Sequence, residues 1–230
     1  MNVEKSTQNS VVSLFVSIII PSIILMSSSK FDAVNPIYAL VIALMFPLVY
    51  TIIELVTAKK WSFIPILGFF SILLTGSIAL LKLPPKFIAI KESIIPFIIG
   101  IVVLCSIKTK SPGMLIITKA MFDYEKIEKK VFEKGELPKL KNFLNTATVL
   151  LGLSFLVSTI LNFLLAIIIV KSPSGSMEFN NELGLMTALS YPVIAVPSVI
   201  MMGVSVWYFV NETKKLTQYT FEEMIHENLK

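Results

Sequence analysis

The chain has 230 residues, of which 55% are hydrophobic and only 15% are charged. A soluble domain of this size usually carries about a quarter charged residues, so the composition disfavours a soluble fold. All 20 basic residues are lysines, and the lack of arginine, which binds phosphate with two parallel hydrogen bonds, disfavours a nucleic-acid partner. The only cysteine, Cys105, is predicted to be a small buried apolar residue. The only histidine, His226, has no cysteine or second histidine nearby, so no metal site is predicted.

Six apolar segments are predicted to be transmembrane helices, because a helix needs about 20 apolar residues to cross a bilayer. Pro36 suits the first position of the second helix. The mixed segment 182–190 is predicted to be re-entrant or interfacial. The sequence therefore predicts an all-α integral membrane helical bundle that forms a single membrane domain over residues 1–230. The predicted spans are 11–28, 36–56, 63–81, 87–107, 143–170 and 191–210.

A basic segment separates the fourth predicted span from the fifth, and residues 108–141 contain nine lysines. Apolar residues recur at helical spacing from Ile117 to Val131, and lysines occupy the other face, which predicts an amphipathic cytoplasmic helix. Ser111 is predicted to cap its start, and Gly135 is a stop signal. Two locations of this helix fit the pattern: on the membrane surface, or packed on the protein's own inner face.

The lysine distribution predicts the orientation of the chain. With the N-terminus inside, the inner segments hold 15 lysines and the outer loops hold four. An excess of lysine on the cytoplasmic side is typical of membrane proteins, so both termini are predicted to be cytoplasmic. Near the C-terminus, Thr220 and Glu223 have the spacing of a capping box, which predicts a short terminal helix.

Ionisable residues inside the predicted spans are candidate functional residues, because a charge in a membrane is costly. Lys91 and Glu92 lie side by side in the fourth span. Consecutive residues point about 100° apart on a helix, so the two side chains are not expected simply to pair with each other. Lys91 can instead extend outward as an interfacial anchor. Glu54 in the second span is a third ionisable candidate, and Asn162 in the fifth span is a polar, uncharged one.

Two rows of small and polar residues are spaced four apart, each on one face of a predicted span. Small residues let helices approach closely, so helix packing is the first interpretation and a polar pathway the second. No phosphate-binding loop, hydrolase elbow or zinc-peptidase pattern occurs, so neither an enzyme nor a cofactor is predicted. The rows are Ser154, Ser158, Asn162 and Ala166 on the fifth span, and Ser71, Thr75 and Ala79 on the third.

Three stretches, Ala89–Pro96, Leu161–Phe163 and Phe179–Thr187, resemble an uncharacterised bacterial polytopic membrane family. That family is distantly similar to intracellular septation protein A. The resemblance implies a multi-pass protein of the bacterial inner membrane with a role in envelope maintenance or division. The basic segment 108–141 and the longer chain depart from the septation protein pattern.

The sequence leads to two hypotheses about function. The first is a non-enzymatic inner-membrane protein that acts in envelope maintenance or division. Its expected partners are the lipid bilayer, a second copy of the chain, or envelope and division proteins. The alternative is a small transporter or channel with a polar pathway near Glu92 and Asn162.

Overall fold

The computed structural model describes residues 18–28, 35–57 and 63–225. The structure is 86% helical and has no strand within those ranges, which confirms the all-α prediction. A 3-10 turn, Ser106–Lys108, follows the fourth helix, and a π-helical turn, Tyr191–Ala195, joins the eighth to the ninth. The α-helices are α1 (Ile20–Ser28), α2 (Pro36–Thr57), α3 (Phe63–Leu80), α4 (Lys86–Cys105), α5 (Gly113–Met121), α6 (Tyr124–Glu133), α7 (Leu137–Ile169), α8 (Met177–Ser190), α9 (Val196–Thr217) and α10 (Phe221–Met224).

Helical stretches able to cross a bilayer dominate the described chain, as expected of a multi-pass membrane protein. Helix α3 is also apolar, but its described apolar part, Ile66–Leu80, is shorter than the four stretches that are long enough to span. Of the first predicted span, 11–28, residues 11–17 lie outside the described ranges. Among the described residues, four stretches are long and apolar enough to span: Pro36–Ile53, Lys86–Lys108, Leu137–Ile169 and Met177–Thr217.

The ends of the helices agree only in part with the ends of the predicted spans. Helix α2 begins at Pro36 as predicted, and the Asn35 side chain accepts a hydrogen bond from the Ile37 amide at 2.9 Å. Helix α7 begins at Leu137, before the predicted start at Phe143. Residues 182–190, predicted as a separate segment, lie within α8, which continues through the π-helical turn into α9.

The described chain divides into two compact units. Within the described ranges, the first comprises the residues up to Ser93 with Leu161–Ile194, and the second comprises Ile94–Ile160 with the residues from Ala195 to Ile225. The single membrane domain stays a prediction. The buried core of the first unit includes Leu25, Leu40, Ile88, Phe179 and Leu183.

Helix α8 is fixed within the first unit by three of its residues. The Asn180 side-chain amide donates to the Pro36 carbonyl at 2.6 Å. Gly184 lies so close to α1 that an added Cβ would stand 3.0 Å from the Ser22 carbonyl oxygen. The Glu182 carboxylate accepts hydrogen bonds from both the backbone amide and the hydroxyl of Ser172 at 2.8 Å, and so holds the loop before α8.

The basic segment folds into the second unit as two helices rather than one. Helix α5 ends at Met121 and α6 begins at Tyr124, and between them Phe122 pairs with Ile225 in an isolated antiparallel bridge. The predicted single amphipathic helix is therefore wrong, because Phe122 turns into the core. The core residues of this unit include Met114, Phe122, Ile127, Val131, Phe209 and Met224.

The start of α5 also differs from the prediction. Pro112 occupies the N-cap position, and no side-chain cap is made there. The first amides are bound from elsewhere: the Ser106 hydroxyl accepts from the Gly113 amide at 2.7 Å, and Thr148 accepts from the Met114 amide at 3.1 Å. The prediction that Ser111 caps the helix is thus wrong.

Two further predictions near the ends of helices have opposite outcomes. The capping box of Thr220 and Glu223 is present at the start of α10, as predicted. Cys105 is exposed, so its predicted burial is wrong. The error arises because a residue in an apolar helix can face either the protein or the surrounding lipid.

Candidate functional site

The ammonium group of Lys91 is buried between helices of the first unit. Its side chain is only 7% exposed. Nζ donates to Thr75 Oγ1 at 2.8 Å and to Ser71 Oγ at 3.1 Å. Both acceptors lie on one face of α3, where the Thr75 hydroxyl also donates to the Ser71 carbonyl at 3.1 Å. The expectation that Lys91 extends outward as an anchor is therefore wrong.

Lys91 and Glu92 form an ion pair, with Nζ 2.6 Å from Oε1. The expectation that these neighbours do not simply pair is also wrong, because the long lysine side chain reaches the adjacent carboxylate. Burying two opposite charges together removes much of the cost of burying either one alone. The polar row of Ser71 and Thr75 supplies the remaining hydrogen bonds to the ammonium group.

Glu92 also lines a polar cavity of about 150 Å³ within the first unit. This cavity is large enough for a few water molecules or a small polar solute. Glu92 comes from α4, Asn162 from α7, and Thr187 and Ser190 from α8. The structure therefore brings together the two residues, Glu92 and Asn162, around which the sequence predicts a pathway. Leu165, Met186 and Ile194 complete the lining.

Oxygen atoms able to accept hydrogen bonds set the chemistry of this cavity. The Thr187 hydroxyl donates to the Leu183 carbonyl at 2.8 Å, and the Ser190 hydroxyl donates to the Thr187 carbonyl at 2.7 Å. Because each hydroxyl proton is used within the helix, the oxygens offer lone pairs to the cavity. Because the Glu92 carboxylate is paired with Lys91, these lone pairs favour a hydrogen-bond donor, or a cation that competes with Lys91 for Glu92, over an anion.

A π-helical turn borders the cavity, and its residue Ile194 contributes to the lining. Pro192 lies inside this turn and has no backbone N–H to continue the α-helical hydrogen bonds. Single π-helical turns inside long helices occur frequently at functional sites. The site therefore combines a polar cavity with an interrupted helix beside it.

Among the described side chains, the other predicted residues do not line this cavity. The Ser154 hydroxyl donates to the Leu151 carbonyl of its own helix at 2.6 Å, and Ser158 is partly exposed. Ala79 and Ala166 are buried in the core of the first unit. Glu54 belongs to α2, but its side chain lies outside the described part of the structure.

The sequence did not single out Thr187, Ser190, Met186 or Ile194. The available signal was a threonine and a serine three residues apart, with Pro192 two residues after the serine. Residues three apart share a helix face, and the proline marks the interruption. Across the described ranges, no three or more histidine, cysteine, aspartate or glutamate residues cluster where they could hold a metal ion.

Comparison of the chain with protein-family models, curated proteins and solved structures finds no match. The resemblance to the septation protein A group therefore stays a prediction. The stretches on which it rests nonetheless all contribute to the cavity: Glu92 comes from the first, Asn162 from the second, and Met186 and Thr187 from the third.

Proposed function

We propose that this chain is a small transporter or channel whose polar cavity binds a small cation or a protonated solute. The observation that carries the proposal is the meeting of Glu92, Asn162 and Thr187, from three different helices, around one cavity. Burying a charged and polar cluster within apolar helices costs free energy, and such clusters mark ion and proton pathways in membrane proteins.

Two features of the surrounding helices support this function. The Lys91 ammonium group lies beside the Glu92 carboxylate, so a cation or proton arriving at Glu92 competes with Lys91 for the same oxygens. The π-helical turn Tyr191–Ala195 interrupts the helix beside the cavity. Interrupted helices are common at the binding sites of transporters, where they allow one half-helix to move against the other.

Flux into proteoliposomes tests the proposal. Vesicles that contain the purified full chain are given a gradient of protons, Na⁺ or K⁺ and carry a dye that responds to the ion under test, and wild type is compared with Glu92→Gln. We expect flux of one of these ions in wild type and a loss of at least about tenfold in Glu92→Gln, since a hydrogen bond to a charged group contributes about 1.5 kcal/mol or more.

Glu212→Gln is the matched control. Glu212 also forms an ion pair, with Lys215 at 2.6 Å, but belongs to the second unit and does not line the cavity. Its flux should equal that of wild type. Equal flux in wild type and Glu92→Gln, or equal losses in both variants, would contradict the role of Glu92.

The second candidate is a non-enzymatic role in maintenance or division of the bacterial envelope, through protein or lipid partners. It is favoured by the second unit, whose basic segment forms a compact core around Phe122 and Phe209 rather than a simple connection between spans. No flux of any tested ion, together with specific co-purification of envelope or division proteins, would favour it.

We further propose that the protein resides in the bacterial cytoplasmic membrane with both termini in the cytoplasm. The lysine-rich segment 108–141 would then face the cytoplasm, as the positive-inside rule requires.

A further inference from the structure

A second cavity, of about 450 Å³, lies in the second unit, where three lysines converge on an apolar floor. Lys108 ends the apolar stretch Lys86–Lys108, Lys110 lies in the turn that follows, and Lys141 is in the second turn of α7. Leu140 and Leu144, both buried in the core of this unit, contribute to the floor.

The turn that presents these lysines is held by its own hydrogen bonds. The Thr109 hydroxyl donates to the Ser106 carbonyl at 2.7 Å and accepts from the Ser111 amide at 3.1 Å. Thr109 itself lines the cavity. Lys108 and Lys110 therefore flank an ordered turn.

The three lysines are exposed, and none of them forms an ion pair with a carboxylate in the described part of the chain. Lys139, in the first turn of α7, differs from them because its ammonium group lies 2.6 Å from the Glu136 carboxylate. One acidic residue, Glu128, also lines the cavity, as does Tyr124. The cavity thus carries three positive charges against one negative charge.

The position of the cavity along the helices indicates the class of ligand. The apolar stretch of α4 ends at the cavity and the apolar stretch of α7 begins there, so the lysines lie where lipid headgroups are expected. An aliphatic floor suits the glycerol and upper acyl region of a lipid better than a fully hydrated ion. Basic pockets between membrane helices bind the phosphates of anionic lipid headgroups.

We propose that this cavity binds the phosphate of an anionic phospholipid, with Lys108, Lys110 and Lys141 as its cationic ligands and the leucine floor against the glycerol backbone. The site belongs to the second unit and does not depend on the transport function proposed for the first.

Native mass spectrometry of the full chain in detergent tests the proposal. The protein is titrated with phosphatidylglycerol and with phosphatidylcholine of the same acyl chains, and the ratio of the two dissociation constants is the readout. We expect wild type to prefer phosphatidylglycerol, each lysine-to-glutamine substitution to reduce the preference about fivefold, and the triple variant to lose it. Glu128→Gln should increase the preference, because it removes the one negative charge.

The control variant combines Lys86→Gln, Lys129→Gln and Lys130→Gln. It removes three positive charges, as the triple cavity variant does, but from lysines that do not line the cavity. It should keep the preference of wild type. The proposal is overturned if wild type binds both lipids equally, or if the control loses as much preference as the cavity variant.

Displacement of the lipid by inorganic phosphate at equal concentration would identify a soluble phosphate as the ligand and overturn the lipid assignment. If the triple variant does not fold, Lys141→Gln and Glu128→Gln still predict shifts of opposite sign.

Discussion

At the scale of single residues, the pairing of Lys91 with Glu92 decides how two charges are accommodated among apolar helices. Lys91 is 7% exposed and Glu92 is 28% exposed, so the ammonium group depends on its protein partners more than the carboxylate does. Thr75 and Ser71 also stabilise the ammonium group, because both accept hydrogen bonds from the same nitrogen. Removal of the carboxylate charge would leave a buried cation with hydroxyl partners alone.

A double-mutant cycle measures this dependence. Glu92→Gln should destabilise the folded chain by about 1–3 kcal/mol, because a buried charge loses a charged hydrogen-bond partner. Lys91→Met removes the cation as well, so the double variant should be less destabilised than the sum of the single variants. Denaturant unfolding in detergent provides the free energies.

The pair of Glu212 and Lys215, whose lysine is exposed, serves as the reference for this cycle. Lys215 is 64% exposed, and exposed pairs on a helix contribute only about 0.3–0.5 kcal/mol. A coupling at Lys91 and Glu92 no larger than this reference would show that the buried pair does not stabilise the fold.

Tyr124 provides a pH-dependent prediction in the second unit, outside the spans. Burial, followed by the nearby charge of Glu128 and their hydrogen bond, raises the pKa of Tyr124 from 10.0 to about 12. Because the folded pKa is above the unfolded one, the stabilisation is fully present below pH 10.0 and is lost as the pH rises towards about 12. An ultraviolet difference titration of wild type against Tyr124→Phe should show this late ionisation. In Glu128→Gln the pKa should fall but stay above 10.0, since burial remains; an unchanged pKa would exclude the contact with Glu128.

At the scale of helices, α4 and α7 approach closely through glycine. An added Cβ on Gly152 would lie 2.5 Å from Leu104 Cδ2, and one on Gly100 would lie 3.1 Å from the Phe155 Cβ. Side chains smaller than alanine at such positions allow helices to pack tightly without the hydrophobic effect, which is weak between helices in lipid.

Gly152→Ala should therefore destabilise the chain by about 1–3 kcal/mol, the usual cost of overpacking. Gly203→Ala is the matched control, because an added Cβ there meets nothing within 4 Å. The control should be neutral or stabilising by about 0.5–1 kcal/mol, since alanine is the better helix former. Thermal unfolding in the same detergent compares the two variants, and equal midpoints would contradict the close contact.

Helix interruptions show where local sequence signals succeed and fail. Pro192 lies in the π-helical turn, yet Pro47 and Pro96 lie within α2 and α4 without ending them. A proline therefore marks a candidate interruption, and the packing of neighbouring helices decides whether the helix deviates. The break at Phe122 has no proline or glycine signal at all; it exists because the Phe122 side chain is buried in the core of the second unit.

At the scale of the whole molecule, the prediction to test is the topology of the chain across the membrane. Helix α7 is long and apolar enough to span a membrane, and in the proposed topology it crosses once between the basic segment and the loop before α8. In a Cys105→Ala background, Lys129→Cys and Lys171→Cys should therefore react with a membrane-impermeant maleimide from opposite sides. Labelling of both positions from the same side of intact cells or oriented vesicles would contradict the proposed arrangement.

The sequence by itself determined the helical class, the apolar stretches able to span a membrane, the start of α2 at Pro36 and the capping box at Thr220, because hydropathy and capping are local properties. It also pointed to Glu92 and Asn162, because polar groups in apolar segments are conspicuous. Only the tertiary structure decided that Lys91 turns inward to Thr75, and that Thr187 and Ser190 join Glu92 at the cavity. Those contacts link residues far apart in the chain, and no local pattern specifies which faces of two apolar helices meet.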